Sequence, residues 1–322
     1  MRKNNKACEF CGRRMRRHGR TKSGTERYLC LVCKRTGIIR RKDTRVRYEK
    51  ERFIAWLTGV QSKDDIAKKY GITRQTLSNE FRSFFKRNPN CVIPEGFRAR
   101  MLIVDAKWIH GSEMCALIAV TEEDRIFWQF ASAERYGTWY AFLVRFSAPE
   151  VVVADGHKGM AGFVKKWWPH TAFQRCHFHM VSLVIQYLSR NPKDEAGIEA
   201  LKLVYQLKYV KTKEDRGRWI MFHKIWEKQH EKVFAEKTES GQYAKKKLRS
   251  VRVILRRAIP DLFTYLDHPG CPNTTNLVEG WVNTAVAEGL RRHRGMKLSQ
   301  KKTLVSVILS HLTREKTTRK FD

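Results

Sequence analysis

Hydrophobic and polar positions change their spacing along the chain, and this change separates helical from strand-forming regions. Residues 47–86 carry apolar side chains at helical spacing and predict helices. After a proline-containing linker, short apolar runs bounded by polar turns predict strands. The predicted elements are, in order, strands at 100–110, 114–121 and 125–133, a helix at 138–146, a strand at 151–154, a helix at 158–168 and a strand near 173–176.

This element order predicts the fold class. Three strands, a helix, a strand, a helix and a strand match the ribonuclease-H-like fold, an α/β core built on a mixed sheet. From about 191 to 271 the sequence is helical and charged, without a strand signal, which predicts an all-helical insertion into that core. Packing in the helical core is the favoured role for its Trp219 and Trp226, and stacking on an unpaired base is the alternative.

Two Cys-x-x-Cys pairs mark the first forty-odd residues. Eighteen residues separate the pair Cys8 and Cys11 from the pair Cys30 and Cys33. Tetrahedral zinc takes four thiolates from two tight turns, so this spacing predicts a zinc ribbon over residues 1–44. Zinc would fold a segment too small to fold alone, and the loop between the pairs, rich in arginine and lysine, is predicted to contact DNA phosphates.

Residues 62–78 predict a helix-turn-helix within a domain spanning 45–88. Ile66 and Ala67 face inward, Gly71 makes the turn, and Thr73 caps a second helix. A simple helical hairpin has a similar hydrophobic pattern, so the polar face of the second helix decides the interpretation. That face presents side chains able to read base edges and phosphates in a major groove, namely Arg74, Gln75, Thr76, Asn79 and Arg82.

Charge points to a polyanionic partner. Lysine and arginine number 65 against 32 aspartate and glutamate residues, a net charge of +33, which favours salt-sensitive binding to nucleic acid. A hydrophobic content of 42% argues against wholesale disorder. The sequence shows neither a membrane-spanning run nor a signal segment, so the expected location is the cytoplasm, in association with the nucleoid.

Three carboxylates stand where metal-dependent phosphoryl transfer would need them. Asp105 follows the apolar run 101–104, Asp155 follows the run 151–154, and Glu279 lies at the predicted start of a helix. Neighbouring strand ends would place the two aspartates side by side in the ribonuclease-H-like fold. Carboxylates gathered from distant segments can hold two divalent cations, which activate an attacking oxygen and stabilise a leaving one.

The sequence resembles the DDE transposases of bacterial insertion sequences, in the Mutator-like superfamily. The resemblance spans about 100–290, and its most specific element is a Cys-x-x-His between the second and third acids. Four stretches carry it: Leu-Ile-Val-Asp105, Val-Val-Ala-Asp155-Gly-His-Lys-Gly, Gln-Arg-Cys176-His-Phe-His179 and Thr-Thr-Asn-Leu-Val-Glu279-Gly.

The resemblance implies a mechanism and a domain organisation. Asp105, Asp155 and Glu279 would bind two Mg²⁺ (or Mn²⁺) ions, cut DNA at transposon ends, and let the freed 3′-hydroxyl attack target DNA. The partners would be double-stranded DNA, as ends and as target, and further copies of the chain in a homodimer or higher oligomer. The catalytic core would comprise 97–190 and 272–322, with the insertion at 191–271.

Several alternatives stay open at this point. Cys176 and His179 are interpreted first as buried packing residues, and otherwise as zinc ligands completed by His268 and Cys271. For His157 the alternatives are contact with the scissile phosphate, orientation of a water molecule, or a position in a solvated loop. As a whole, the chain could instead be a DNA-binding regulator with an inactive catalytic domain. It could also be a metal-dependent nuclease that never joins strands.

Overall fold

The computed structural model describes most of the chain as two compact units. The described residues are 8, 13–22, 24–38, 41–86, 91–94, 96–111, 113–240, 242 and 244–319, without the side chains of 41–46 and 314–319. The units are Met1–Arg87 and Asn88–Asp322. Within the described ranges, no helix combines the length and the apolar character of a membrane span.

The first unit opens with a small antiparallel sheet of three strands, β1 (Met15–Arg20), β2 (Glu26–Cys30) and β3 (Thr36–Ile38), in the order β1-β2-β3. Met15 pairs with Cys30 across the first two strands. Tyr28 is 1% exposed and packs with Met15, Cys30 and Cys8 in a miniature core. Such a core buries little apolar surface, so the segment needs a further crosslink to be stable alone.

Three helices complete this unit: α1 (Arg41–Thr58), α2 (Lys63–Tyr70) and α3 (Arg74–Phe84). Ser62 and Asp65 form a capping box at the start of α2, and Gly71 ends that helix with φ +62°. The Thr73 side chain accepts the Thr76 amide at the start of α3. The helices bury Ile66 and Ala67, which the sequence predicted to face inward, and also Leu77. Aromatic rings fill the space between the helices, namely Phe53, Trp56, Phe81 and Phe84.

The second unit is built on a five-stranded mixed sheet in the order β6-β5-β4-β7-β8. The central strand β4 pairs antiparallel with β5 and parallel with β7, and β7 pairs parallel with β8. All five strands match those predicted from the apolar runs. Their bounds are β4 (Met101–His110), β5 (Met114–Thr121), β6 (Ile126–Ala131), β7 (Val151–Ala154) and β8 (Ala172–Arg175).

Helices cover both faces of this sheet. On one face, α4 (Tyr136–Leu143) and α5 (Lys158–Trp167) pack on the even-numbered side chains of β4 and β7. The other face is covered by a π-helical segment (Leu277–Asn283) and by the helix α12 (Leu298–Arg319), and α11 (Thr284–Arg292) packs on both of these elements. Burial on both sides explains why β5 and β7 are almost wholly apolar in sequence.

The region between β8 and the π-helical segment is helical, with a core of its own. Trp219 and Trp226 are each 2% exposed, and their indole N–H groups donate to the carbonyls of Leu203 and Ala196 at 2.9 Å. These tryptophans therefore pack in the core of the insertion. The helices are α6 (His177–Leu188), α7 (Glu195–Gln206), α8 (Lys213–Gln229), α9 (Glu231–Ala235) and α10 (Lys246–Leu262).

Candidate functional site

Two aspartates meet where β4 and β7 run side by side. Ile103 pairs with Val153 in the parallel register, so Asp105 and Asp155 stand level with each other two residues further on. Asp105 is 9% exposed. Asp155 begins the loop after β7 and accepts the His157 amide on Oδ1 at 2.7 Å. The strand order thus brings together two of the acids predicted from sequence.

Glu279 reaches the same place from the π-helical segment. Four positions after it, about one turn, Asn283 lies on the same side of that segment. Asn283 is buried and donates from Nδ2 to Asp105 Oδ2 at 2.7 Å. The asparagine therefore docks the segment on β4, close enough for the charges of Glu279 and Asp105 to interact. Sequence reasoning missed Asn283, because nothing in its local context predicts a partner so distant along the chain.

Burial changes the protonation of Asp105. Burial raises the pKa of Asp105 to about 6, and the negative charge of Glu279 adds to that shift. His179 and the Asn283 hydrogen bond oppose it. The raised pKa means that the positive charge near Asp105 is too small to stabilise its ionised carboxylate. A divalent cation would supply that charge.

The Cys-x-x-His motif contacts Glu279 directly. Cys176 is 0% exposed, and its Sγ accepts hydrogen bonds from the backbone amide and the hydroxyl of Thr275, both at 3.2 Å. Thr275 Oγ1 also hydrogen-bonds Glu279 Oε1. His179 Nδ1 lies 3.4 Å from the same oxygen. The motif therefore positions the third acid, a role beyond the buried packing that the sequence favoured.

Without a bound metal ion, these neighbours favour the charged form of His179. Burial lowers its pKa, but the contacts with Cys176 and the charges of Glu279 and Asp105 outweigh burial and raise that pKa to about 9. An imidazolium between two carboxylates offsets part of their repulsion.

Two buried polar side chains fix the ends of the insertion against the sheet. Gln174 donates to the Leu262 carbonyl at 3.0 Å and accepts the Tyr265 amide at 2.9 Å. His177 Nε2 contacts the same Leu262 carbonyl at 2.7 Å, and its amide donates to the Asn273 carbonyl at 2.9 Å. The chain is thus tied to β8 and α6 just before it supplies Glu279.

The described structure gathers other possible metal ligands around this motif than the two that the sequence suggested. Among the described side chains, Cys176 and His179 gather with Glu279 within 4.8 Å, and neither His268 nor Cys271 joins that group. The Cys271 sulfur instead contacts the carbonyl of the following proline, and burial raises the pKa of its thiol to about 11.

A fourth carboxylate lies beside Asp155. Glu134, in the bend before α4, has a side chain 17% exposed, and its Oε1 lies 3.7 Å from His157 Nδ1. Burial raises the pKa of Glu134, and Asp155 raises it further while His157 opposes the shift. Sequence reasoning missed this residue, because Glu134 neither ends an apolar run nor lies in a recognisable motif.

Gly156 holds the Asp155 loop in a conformation that suits glycine. Its φ is +84°, and a Cβ there would lie 2.9 Å from the guanidinium of Arg175. We expect Gly156→Ala to lower the free energy of unfolding by about 1–3 kcal/mol through backbone strain and displacement of Arg175. The matched control is Gly162→Ala in α5, where a Cβ meets only ordinary contacts at 3.6 Å. Denaturant unfolding of both variants checks this, and equal stability of the two would contradict it.

At the other end of the chain, three of the four predicted zinc ligands converge. Cys8 and Cys30 are buried, Cys33 is half-buried, and their sulfurs lie within 4.8 Å of one another. The Cys8 and Cys33 sulfurs are 3.5 Å apart, far beyond the roughly 2.05 Å of a disulfide. Cys11 lies outside the described residues. A thiol cluster of this kind suits zinc in its donor chemistry.

The polar face of α3 is accessible. Gln75 donates to Asn79 at 3.2 Å, and Arg74 forms an exposed ion pair with Asp64 at 3.2 Å. These contacts are local and leave the polar groups in solvent, as a surface that reads DNA would require. All five predicted reading residues are exposed: Arg74, Gln75, Thr76, Asn79 and Arg82.

Comparison with known proteins places this site in context. Residues 116–242 match the family described as "Transposase, Mutator family". Over 98 residues the chain is 28% identical to the transposase for insertion sequence element ISRM5 of Rhizobium meliloti (strain 1021). That alignment covers 29% of this chain and 24% of the relative, so the chain matches about a quarter of the relative's length.

Proposed function

We propose that this chain is a Mutator-like transposase of an insertion sequence, which cuts the ends of its element and joins them to target DNA. The proposal is carried by Asp105, which lies level with Asp155 on the neighbouring strand and close enough to Glu279 for their charges to interact. A chain with net charge +33 that gathers carboxylates in one place is suited to a cation-dependent reaction on nucleic acid.

The core is proposed to be ribonuclease-H-like. The strand order β6-β5-β4-β7-β8, with only β5 antiparallel to its neighbours, and the helices on both faces support that assignment. The helical region between β8 and Glu279 is then the insertion. In this fold the first two acids belong where the middle of β4, at Asp105, runs beside the end of β7.

Mg²⁺ (or Mn²⁺) fits the donors at this site. Asp105, Asp155 and Glu279 offer the hard carboxylate oxygens that Mg²⁺ prefers. Two such ions, when bound, would activate the attacking oxygen and stabilise the leaving oxygen of an in-line displacement. The surrounding side chains hold the carboxylates in position. Asn283 orients Asp105, and His179 with Thr275 orients Glu279.

The first unit is proposed to recognise the element's ends. The exposed face of α3 would enter a major groove of the terminal inverted repeat, and a zinc-bound ribbon would support it with phosphate contacts. Two ends must be held together before joining. The chain is therefore proposed to act as a homodimer or higher oligomer on double-stranded DNA.

A strand-transfer assay tests the function. The full-length protein, Mg²⁺, a duplex bearing the element's terminal repeat and a supercoiled plasmid are incubated together, and the products are mapped to the nucleotide. Cleavage at the repeat boundary with joined product is the expected result. Cutting without joining would make the chain a nuclease, and specific binding without cutting would make it a regulator.

Recognition by α3 gives a separate prediction. Gln75→Ala is expected to weaken binding to the terminal repeat by about 5- to 150-fold, the discrimination of one bidentate base contact. Binding to a scrambled duplex should stay unchanged, because phosphate contacts carry no sequence information. Ser83→Ala, an exposed position later in the same helix, is the control. Fluorescence anisotropy at fixed salt measures both duplexes, and an equal loss on each would contradict base reading by Gln75.

A further inference from the structure

Three possible metal ligands from distant segments meet close to Asp105. Cys176, His179 and Glu279 each offer one donor atom, and these atoms lie within 4.8 Å of one another. The sulfur and the carboxylate come from positions 103 apart in sequence. We propose that these side chains form a zinc site, separate from the magnesium-binding oxygens of the two aspartates. The inference does not depend on the strand-transfer reaction.

The separations between donors agree with tetrahedral zinc. Zinc bonds of about 2.3 Å to sulfur and about 2.0–2.1 Å to nitrogen or oxygen place tetrahedral N and O ligands about 3.3 Å apart, and S and O ligands about 3.6 Å apart. His179 Nδ1 and Glu279 Oε1 are 3.4 Å apart, and Cys176 Sγ and the same oxygen are 4.0 Å apart. The third pair, Cys176 and His179, lies within 4.8 Å, so a small movement of the cysteine side chain toward the other two ligands would close the set.

Thr275 supports the ligands from outside the metal-binding set. Its hydroxyl hydrogen-bonds Glu279 Oε1, and its backbone amide donates to the Cys176 sulfur at 3.2 Å. Such outer hydrogen bonds hold a carboxylate and a thiolate ligand in place. The fourth position would be left to water.

The donor set selects the metal. Thiolate and imidazole suit Zn²⁺, whereas Mg²⁺ takes oxygen ligands. The contacts of Glu279 with Cys176, His179 and Thr275 all go through Oε1. Its Oε2 stays available for a cation shared with Asp105. Zinc here would join the start of α6 to the π-helical segment and hold Glu279 in one orientation.

Zinc content tests the proposal on the full-length chain without DNA. The chain is incubated with Zn²⁺, dialysed, and its bound metal measured by atomic spectrometry. Cys176→Ser and His179→Ala are each expected to hold about one zinc per chain fewer than wild type. Any zinc on the N-terminal thiols is common to all the proteins and cancels in this difference. Cys271→Ser, another buried cysteine, is the matched control and should keep the wild-type content.

Two outcomes would overturn the site. Equal zinc content in wild type, Cys176→Ser and His179→Ala would exclude it. An equal loss in Cys271→Ser would mean that Cys271, with His268, completes the Cys176 and His179 site in place of Glu279. Circular dichroism checks the folding of each variant. If Cys176→Ser fails to fold, the zinc content of His179→Ala decides, because His179 is only half-buried. A chain that binds this zinc and cuts no DNA would overturn the proposed function and leave the site standing.

Discussion

Asp155→Asn is expected to lower strand cleavage at the repeat boundary by about 10³-fold or more, since carboxylate-held cations contribute several kcal/mol to such transition states. The asparagine Oδ1 can still accept the His157 amide that Asp155 accepts at 2.7 Å. The loop should therefore keep its shape, and only the charge that holds the cation is lost. Denaturing gels of end-labelled repeat DNA measure the rate.

A matched substitution separates charge loss at the site from charge loss in general. Asp124→Asn changes the same side chain in the turn between β5 and β6, where φ is +62°, a region that asparagine also adopts. This variant should cut at the wild-type rate. Both variants should bind the repeat as wild type does, because recognition is proposed to lie in the first unit. Normal cleavage by Asp155→Asn would remove this residue from the active site.

Short-range patterns predicted the sheet and the two aspartates. The apolar run Val151–Ala154 is buried on both faces, so its composition alone marks a strand. Asp155 follows directly from that run, and the central place of β4 follows from the element order. Pairing of neighbouring strands then brings Asp105 level with Asp155. These inferences needed only spacing and hydrophobicity.

Long-range side-chain contacts could not be predicted in this way. Thr275 lies 99 positions from Cys176 and meets it only because Gln174 and His177 hold the end of α10 against β8. Polar residues such as these give no periodic signal. The sequence therefore offered His268 and Cys271 as partners for the Cys-x-x-His motif, whereas the fold places Glu279 there.

The π-helical geometry around Glu279 was equally invisible. The residues of Leu277–Asn283 do not by themselves distinguish α from π hydrogen bonding, because that choice depends on the surface against which the segment packs. Here that surface is β4, and the contact is the bond from Asn283 to Asp105. A wider turn at a functional site is a recurrent use of π-helices.

Asp105→Asn is expected to abolish strand cleavage and, without added Mg²⁺, to raise the stability of the second unit at neutral pH. The folded pKa of Asp105 is about 6, against roughly 3.9 in an unfolded chain. Above pH 6 the folded state thus carries a buried charge that burial disfavours. A shift of this size corresponds to a penalty of about 2–3 kcal/mol, which the neutral asparagine avoids. Asn283 Oδ1, buried with no hydrogen-bond partner in the described structure, gains a possible donor in the new amide.

The pH dependence of that gain identifies its cause. Below about pH 4 Asp105 is protonated in both folded and unfolded chains, so wild type and variant should be equally stable. From pH 4 to 6 only the unfolded chain releases the proton, so wild type loses stability as pH rises, and above pH 6 the difference stays constant. Urea unfolding in Mg²⁺-free buffer measures this, with Asp124→Asn as control. Added Mg²⁺ should stabilise wild type but not the variant. A difference independent of pH, or none at pH 7.5, would contradict a charged and buried Asp105.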